Sequence, residues 1–282
     1  APPDVVAAAG VDVIDLSVGE PDFPTPEHVC RAAAEAIRAG RTKYTPAAGI
    51  PALRRAVATD YTRRSGLAVT PAQVVVSNGA KHALHNAFTA LIDEGDEVIV
   101  PAPYWVSYAE LIKLAGGRPV VLPTRCLLYT SPSPRDGWRI GWTICPEPLA
   151  KAIANLQSQE TSNPSSISQH AAVAALDGPQ ECVAAMNAAF QRRRDLVAAR
   201  LKAIPGVRLP DIGGAFYAFF DIAPLLARGT DGIRTSAAWC EALLEREHVA
   251  LVAGSAFGAE GHVRMSFAAA DDALVAGLER IA

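Results

Sequence analysis

The segment "QVVVSNGAKHAL", residues 73–84, decides the fold. Its first half is rich in β-branched residues and predicts a strand that runs into Gly79, with a helix following through about Ile92. The next stretch repeats this order, since "DEVIVPAP" (96–103) predicts a strand and Trp105–Leu114 predicts a helix. Two consecutive strand–turn–helix units predict parallel strands with right-handed crossovers, and therefore an α/β protein.

The remaining elements divide the chain into two parts. Helices are also predicted at Glu27–Ala39, Pro51–Ser65, Pro146–Gln157, Ser165–Leu176 and about Pro179–Ala203, and "WRIGWTI" (138–144) predicts a further strand. The C-terminal part predicts strands at "AFYAFFDI" (215–222), "VALVAG" (249–254) and "HVRMSFA" (262–268), and helices at Ile233–His248 and Asp271–Ile281. Such an α+β module is typical of a smaller second domain.

Composition excludes several classes of protein. The chain has 282 residues, half of them apolar, and a formal net charge of −3, which does not favour a nucleic-acid partner. No apolar stretch approaches the roughly 20 residues of a membrane span. Five cysteines without a C-x-x-C pair argue against a disulfide framework and a thiolate zinc site, and favour a reducing, cytoplasmic setting. The start "APPDVVAAAG" lacks an initiator Met and a signal-peptide pattern, so we expect the chain to begin inside a longer protein.

Two places at the predicted carboxyl edge of the sheet are candidates for ligand binding. Gly79, Ala80 and Lys81 lie between a strand end and a helix start, where free N–H groups and small residues suit a phosphate. The alternative is a tight turn that needs small residues. Trp105 follows the next strand, and its indole suits stacking on a flat aromatic ligand, although plain core packing is the alternative.

Two arginines lie inside segments predicted as apolar strands. Arg139 stands in "GWRIGW" (137–142) and Arg264 in "GHVRMSFA" (261–268). A guanidinium on a largely buried strand needs an anionic partner, and its fork of donors suits phosphate and carboxylate groups. An Asp or Glu elsewhere in the chain is the alternative partner for each.

These motifs, in this order, resemble those of the class I aminotransferases. The chain is similar to the bacterial aspartate aminotransferase branch of the pyridoxal 5′-phosphate (PLP)-dependent fold type I enzymes, along nearly all of its length except Cys126–Arg135. The motifs that carry the resemblance are "VGEPDFPTPEHV", "TKYTPAAGIPALRRAVA", "SNGAKHAL", "PAPYWVSYAE", "GWRIGW", "SQETSNPSSISQ", "GGAFYAFFDI" and "GHVRMSFA". The resemblance implies a large PLP-binding domain over residues 46–189, with a mainly parallel sheet, and a small α+β domain of residues 1–45 with 190–282.

The resemblance also implies roles for single residues and a set of partners. It implies that Gly79, Ala80 and Arg139 hold the phosphate of the cofactor. Trp105 would stack on its pyridine ring, and Tyr44 would reach the cofactor phosphate of the neighbouring subunit. It implies that the substrate is held by Arg264 at its α-carboxylate, Gly19 over it and Lys81 at its distal carboxylate. A cytoplasmic homodimer acting on an amino acid and a 2-oxo acid, with no metal, is expected.

The family's Schiff-base lysine has no counterpart in this chain. In the family motif it stands eight residues before the arginine that matches Arg139, and here that position is Ser131. The resemblance implies that a central segment of the family's large domain is missing between "VVLPTR" and "GWRIGW", together with the aspartate that pairs with the pyridine nitrogen. The Ser/Pro-rich filler is interpreted as a sequence artefact or chimera, and the alternative is a natural truncation. We therefore expect no transaminase activity of this chain.

Two other functions are compatible with the same sequence. One is an aminotransferase-like effector domain of a transcription regulator, which upstream sequence would reveal. The other is a non-catalytic relic that serves as a binding or dimerisation module.

Overall fold

The structure, a computed structural model, describes residues 10–124 and 138–282. The helices of these residues are α1 (Glu27–Arg38), α2 (Pro51–Ser65), α3 (Ala80–Leu91), α4 (Ser107–Leu114), α5 (Glu147–Glu160), α6 (Ser166–Asp177), α7 (Glu181–Ala203), α8 (Ala223–Arg228), α9 (Ser236–Glu247) and α10 (Asp271–Ile281). The strands are β1 (Ile14–Asp15), β2 (Val74–Ser77), β3 (Glu97–Ala102), β4 (Arg118–Pro123), β5 (Gly141–Ile144), β6 (Tyr217–Asp221), β7 (Val249–Ala250), β8 (Val252–Ala253) and β9 (His262–Ser266).

Four strands of the first half form two separate pairs. β3 and β4 are parallel, with Ile99 opposite Val120, whereas β2 and β5 are antiparallel, with Ser77 opposite Gly141. The two strands of the opening strand–turn–helix units therefore do not pair with each other. β2 instead takes a partner from beyond residue 137, because Trp142 and Ile144 of β5 pack on the apolar cluster around Val74.

Helices α3 and α4 join the two pairs. α3 packs against β2 and β5, α4 packs against β3 and β4, and the two helices contact each other. Each helix follows its own strand directly, so the connection is built by the local strand–turn–helix order that the sequence predicts. The two pairs are thus fixed relative to one another through their helices.

The second half contains its own core. β6, β9 and β8 form an antiparallel sheet in that order, and β1 pairs in parallel with β7. The predicted strand over residues 249–254 is thus two short strands that belong to different sheets. The core of this part is made of side chains that are almost wholly inaccessible to solvent, among them Leu16, Leu201, Phe220, Met265, Phe267 and Leu274.

The first helix contacts the first half of the fold. Val29 and Ala33 of α1 pack against Ala171 of α6. The division into a domain of residues 46–189 and one of residues 1–45 with 190–282 stays a prediction. No helix within residues 10–124 and 138–282 is long and apolar enough to cross a membrane.

Candidate active site

Arg264 is a buried cation without a carboxylate partner in the described part of the chain. It lies in the middle of β9 with 6% of its surface exposed, and Nη2 donates a hydrogen bond of 2.7 Å to the carbonyl oxygen of Ser17. Its Nε is buried and has no acceptor among the described residues. Burial lowers the pKa of this guanidinium, against the opposing effect of Tyr217. A buried, under-satisfied guanidinium is suited to an anionic ligand, and the described residues do not include the predicted alternative, an acid that pairs with Arg264.

Aromatic rings surround the Arg264 guanidinium. Its central carbon lies 4.5 Å from the ring centre of Tyr217, 4.9 Å from that of Phe257 and 5.5 Å from that of Trp105. Rings at these distances stabilise a cation through their quadrupoles while leaving its hydrogen-bond donors available. The arrangement compensates part of the desolvation cost and keeps Arg264 charged for a ligand.

The segment before α1 passes across this arginine. Asp15 Oδ1 accepts hydrogen bonds from the amide N (2.8 Å) and hydroxyl (2.6 Å) of Ser17, which fixes the carbonyl that Arg264 contacts. A Cβ added to Gly19 would lie 2.5 Å from the hydroxyl oxygen of Tyr217. Gly19 is therefore the residue that lets the chain cross beside Tyr217, and its place over the substrate stays a prediction.

An ion cluster around the buried Arg193 anchors the same segment farther along. Arg193 of α7 binds Asp22 through two hydrogen bonds of 2.7 and 2.9 Å, and its Nε donates to Asp271 at 2.7 Å. The Arg193 guanidinium also lies over the rings of Phe23 and Phe190. Bidentate pairing of this kind fixes both position and orientation. The segment is thus held whether or not a ligand occupies Arg264.

The start of α3, at Gly79 and Ala80, packs closely against β5, and these two residues are called the cradle below. Gly79 precedes α3 with φ of 87°, which favours glycine, as the tight-turn alternative predicts. A Cβ on Gly141 would lie 2.3 Å from the amide nitrogen of Ala80, so only glycine lets β5 come this close to the helix. The N-terminal N–H groups of such a helix offer donors to an anion.

Arg139 does not lie on a strand, and this corrects the sequence-based expectation. β5 begins at Gly141, and Arg139 has φ of 54° and an exposed side chain. The tight contact between Gly141 and Ala80 bends the chain before the strand can begin. The Cα of Arg139 nevertheless lies 4.0 Å from the point that a Cβ on Gly79 would occupy, and its side chain has no ion pair within the described ranges. The structure thus places Arg139 beside the cradle, with a free guanidinium.

The other predicted site residues are all accessible. Trp105 is 37% exposed and contacts Phe257 across the site, so the indole is only partly used for packing. Lys81 lies in the first turn of α3 and is exposed. Tyr44 is 89% exposed. Ser131, at the position matching the family lysine, lies outside the described residues.

Sequence reasoning missed the polar side chains that hold these elements in place. Gln157 is wholly buried in α5; its Nε2 donates to the carbonyl oxygens of Ala47 and Val76, and its Oε1 accepts from Ser77 and Asn86. Gln169 of α6 likewise accepts from the Ile50 amide at 2.7 Å. A glutamine on the apolar face of a helix was the available signal, since Gln157 follows Ala150 and Ile153 at helical spacing.

Comparison with known proteins identifies the family. The profile of "Aminotransferase class I and II" matches residues 11–126 and 136–280, so the unmatched residues coincide with the Ser/Pro-rich segment. The aspartate/prephenate aminotransferase of Cereibacter sphaeroides is 38% identical over 367 aligned positions, covering 98% of this chain and 92% of the relative. The aspartate aminotransferase of Geobacillus stearothermophilus is 37% identical, covering 97% and 91%. Because the alignment is longer than the chain, these relatives carry a long segment without a counterpart here.

Solved structures agree with this result. The aspartate aminotransferase of Rhizobium meliloti superposes with a TM-score of 0.90 at 35% identity, covering 99% of this chain and 93% of that one. The enzyme of Thermus thermophilus with maleate superposes with a TM-score of 0.89 at 33% identity, with the same coverage. The predicted α/β fold of the PLP-dependent fold type I aminotransferases is confirmed. The chain belongs to the class I and II aminotransferases, a family whose cofactor is pyridoxal 5′-phosphate.

Proposed function

We propose that the reaction for which this site is built is amino-group transfer between aspartate and a 2-oxo acid. The single observation that carries the proposal is Arg264, a buried guanidinium with an unused Nε and no internal carboxylate partner among the described residues. A substrate α-carboxylate supplies the missing partner. Relatives named aspartate aminotransferase support aspartate as the amino acid.

The residues fit the two ends of the cofactor. Gly79 and Ala80 would hold its phosphate on the N-terminus of α3, with the free guanidinium of Arg139 beside it. Trp105 would lie on its ring, since part of the indole is uncovered. When bound, the cofactor supplies an electron sink for the bond that breaks at the substrate α-carbon.

The residues do not fit the covalent attachment of the cofactor. The chain has five lysines, and all lie in the described ranges: Lys43, Lys81, Lys113, Lys151 and Lys202. Lys113 pairs with Glu110 and Lys202 with Asp211, and Lys81 is the one in the cradle helix. We propose that Lys81 binds the distal carboxylate of the substrate. The chain as given then lacks the lysine that transfers the substrate proton, and is inactive.

The oligomer and location are proposals of the same kind. Tyr44 is an aromatic side chain with 89% of its surface exposed, which supports a role at the site of a second subunit in a homodimer. Cys30, Cys145, Cys182 and Cys240 are free thiols, which supports a cytoplasmic setting.

A chimera tests the proposed function. In it, residues 127–135 are replaced by the segment that the Geobacillus stearothermophilus enzyme has between the two matched regions. We expect the chimera to transfer the amino group of aspartate to a 2-oxo acid and the unaltered chain to show no turnover. Arg264→Lys in the chimera should lower kcat/KM by about 100-fold, because a bidentate contact to a charged group is lost. An inactive but folded chimera, or turnover by the unaltered chain, would contradict the proposal.

A further inference from the structure

The side chain of His82 contacts the backbone that leads into the cradle. His82 is the third residue of α3, and its Nδ1 accepts a hydrogen bond of 3.2 Å from the amide of Asn78, the residue before the cradle. Gly79 has no side chain that could cap the helix, so this contact from the first turn takes the place of a cap. The amide of Gly79 itself donates to the carbonyl oxygen of Ser77 at 2.8 Å. Both amides of the turn are therefore held, and the N–H groups of the first helical turn are those left for an anion.

The other ring nitrogen of His82 faces α5. Its Nε2 is buried, has no hydrogen-bond partner among the described residues and lies 3.6 Å from Glu160 Oε2. Because Nδ1 accepts the bond from Asn78, the neutral ring carries its proton on Nε2. A second proton would bind at Nδ1, so the ring would then present an N–H group to the Asn78 amide. Protonation thus removes the contact to the turn and strengthens the contact to Glu160.

The groups around His82 favour the neutral ring near pH 7. Burial lowers its pKa, Glu160 of α5 opposes that shift in part, and His85, whose ring centre lies 6.3 Å away, adds to it. β2 and β5 also pack on α3 and contain no titratable side chain. A further helix that contacts α3 is α4, which carries Tyr108 and the ion pair of Glu110 with Lys113.

We propose that His82 is a positioning residue of the cradle: its neutral ring holds the Asn78 amide in place, and protonation of the ring releases it. This role rests on the proposed function, since the cradle is where the phosphate of the cofactor would bind. Loss of the bond would free the turn before Gly79, whose φ of 87° leads the chain into the helix at Ala80. The first-turn amides would then be less well aligned, so pyridoxal phosphate would bind more weakly in acid than at neutral pH.

Two substitutions of His82 separate the contact from the titration. The Oδ1 of asparagine takes the place of Nδ1, so His82→Asn keeps an acceptor for the Asn78 amide but has no proton to gain. Glutamine extends to the place of Nε2 and leaves Nδ1 without a counterpart, so His82→Gln loses the acceptor at every pH. His170→Gln is the matched control, because burial lowers the pKa of this histidine too, although it lies on α6.

The first measurement follows the Asn78 amide itself by NMR spectroscopy. The chain has five asparagines, so selective isotope labelling of asparagine gives few backbone signals, and Asn78→Ser identifies the one from Asn78. Between about pH 7.5 and about pH 5.5 this signal should shift in the unaltered chain and in His170→Gln, with a midpoint below about pH 6.5. In His82→Asn it should stay in place. A signal that does not move in the unaltered chain, or that still moves in His82→Asn, would overturn the inference.

The second measurement is the affinity for pyridoxal phosphate, followed by Trp fluorescence. At about pH 7.5, His82→Gln should bind about fivefold more weakly than the unaltered chain, the factor that corresponds to one neutral hydrogen bond, and His82→Asn should bind normally. At about pH 5.5 the unaltered chain should approach the affinity of His82→Gln, whereas His82→Asn should bind more tightly than both. Equal affinities of the two variants at the higher pH would overturn the inference.

Two other results have a defined meaning. Circular dichroism checks the folding of each variant, and the unaltered chain with His82→Asn decides the question if His82→Gln is unfolded. Absence of pyridoxal phosphate binding by every protein, with the Asn78 signal behaving as expected, would contradict the proposed function and support the hold of His82 on the Asn78 amide.

Discussion

The guanidinium carbon of Arg264 lies 5.5 Å from the ring centre of Trp105. This contact joins β9 of the C-terminal sheet to the loop after β3. The backbone repeats this link, since the amide of Tyr104 donates to the carbonyl of Phe257 at 3.1 Å. The residue proposed to bind the substrate carboxylate and the residue proposed to stack on the cofactor are therefore neighbours, although they belong to distant parts of the chain.

We expect Arg264 to lower the free energy of unfolding and Arg193 to raise it. Arg264 is a buried charge without a carboxylate partner among the described residues, so replacing it with an apolar residue removes a desolvation penalty. Arg264→Met should therefore raise the free energy of unfolding by about 1 kcal/mol. Arg193→Met removes charged hydrogen bonds to Asp22 and Asp271 and should lower the free energy of unfolding by about 1.5 kcal/mol, since both carboxylates are accessible enough to be solvated afterwards. Urea denaturation followed by circular dichroism measures both. Equal losses in the two variants would show that Arg264 is a structural residue.

The cradle at Gly79 depends on Gly141 having no side chain. In Gly141→Ala the new methyl group would meet the backbone of Gly79 and Ala80, so the start of α3 must shift. We expect a loss of about 2 kcal/mol in the free energy of unfolding and weaker binding of pyridoxal phosphate, followed by Trp fluorescence. Gly213→Ala is the control, because nothing lies within 4 Å of its added Cβ. If Gly141→Ala bound pyridoxal phosphate with unchanged affinity, the cradle would not be part of the binding site.

Stability should fall on mild acidification because of His82. Burial lowers the pKa of this side chain; the Glu160 carboxylate, 3.6 Å from its Nε2, opposes the shift only in part, and His85 adds to it. The unfolded histidine therefore binds its proton more readily, so stability is complete above about pH 6.5 and decreases as the pH falls below it.

His82→Asn should reduce this pH dependence, measured by urea denaturation at about pH 5.5 and pH 7.5. Part of it should remain, because burial and the charge of Arg41 also lower the pKa of His170. The double variant with His170→Asn should show the smallest change. A steeper dependence in His82→Asn than in the unaltered chain would contradict this account.

The cysteines should differ strongly in reactivity. Burial raises the pKa of the Cys240 thiol to about 12, and the charge of Glu260 acts in the same direction. Cys30 is exposed on α1. Because the thiolate is the reacting form, iodoacetamide at about pH 8 should modify Cys30 in the native protein and Cys240 only after denaturation. Peptide mass spectrometry separates the two, and modification of native Cys240 at the rate of Cys30 would contradict the prediction.

The sequence predicted the features that depend on neighbours along the chain. The helix Pro51–Ser65 has the predicted ends because a proline starts it and Gly66, with φ of 73°, stops it. The glycine before α3 and the arginine in β9 were recognisable for the same reason. Pattern and local chemistry were enough to place Gly79 and Arg264 in a candidate site.

Features set by distant contacts were not predictable. The antiparallel partner of β2 is chosen by packing of Trp142 and Ile144, and the conformation of Arg139 by the approach of Gly141 to Ala80. Neither leaves a periodic signal in the sequence. Gln157 carried a weak signal, yet its four hydrogen bonds join three distant segments that only the folded chain brings together.

The pairing of β1 with β7 has a consequence for biosynthesis. Ile14 and Asp15 pair with Val249 and Ala250, and the carbonyl of Leu16 accepts from the amide of Ser266 at 2.7 Å. Within the described ranges these residues have no other strand partner, so they stay unpaired until residues 249–250 have been synthesised. At translation rates of roughly 5–20 residues per second, the apolar Leu16 waits on the order of tens of seconds for its place in the core. During that interval it is a natural recognition site for chaperones.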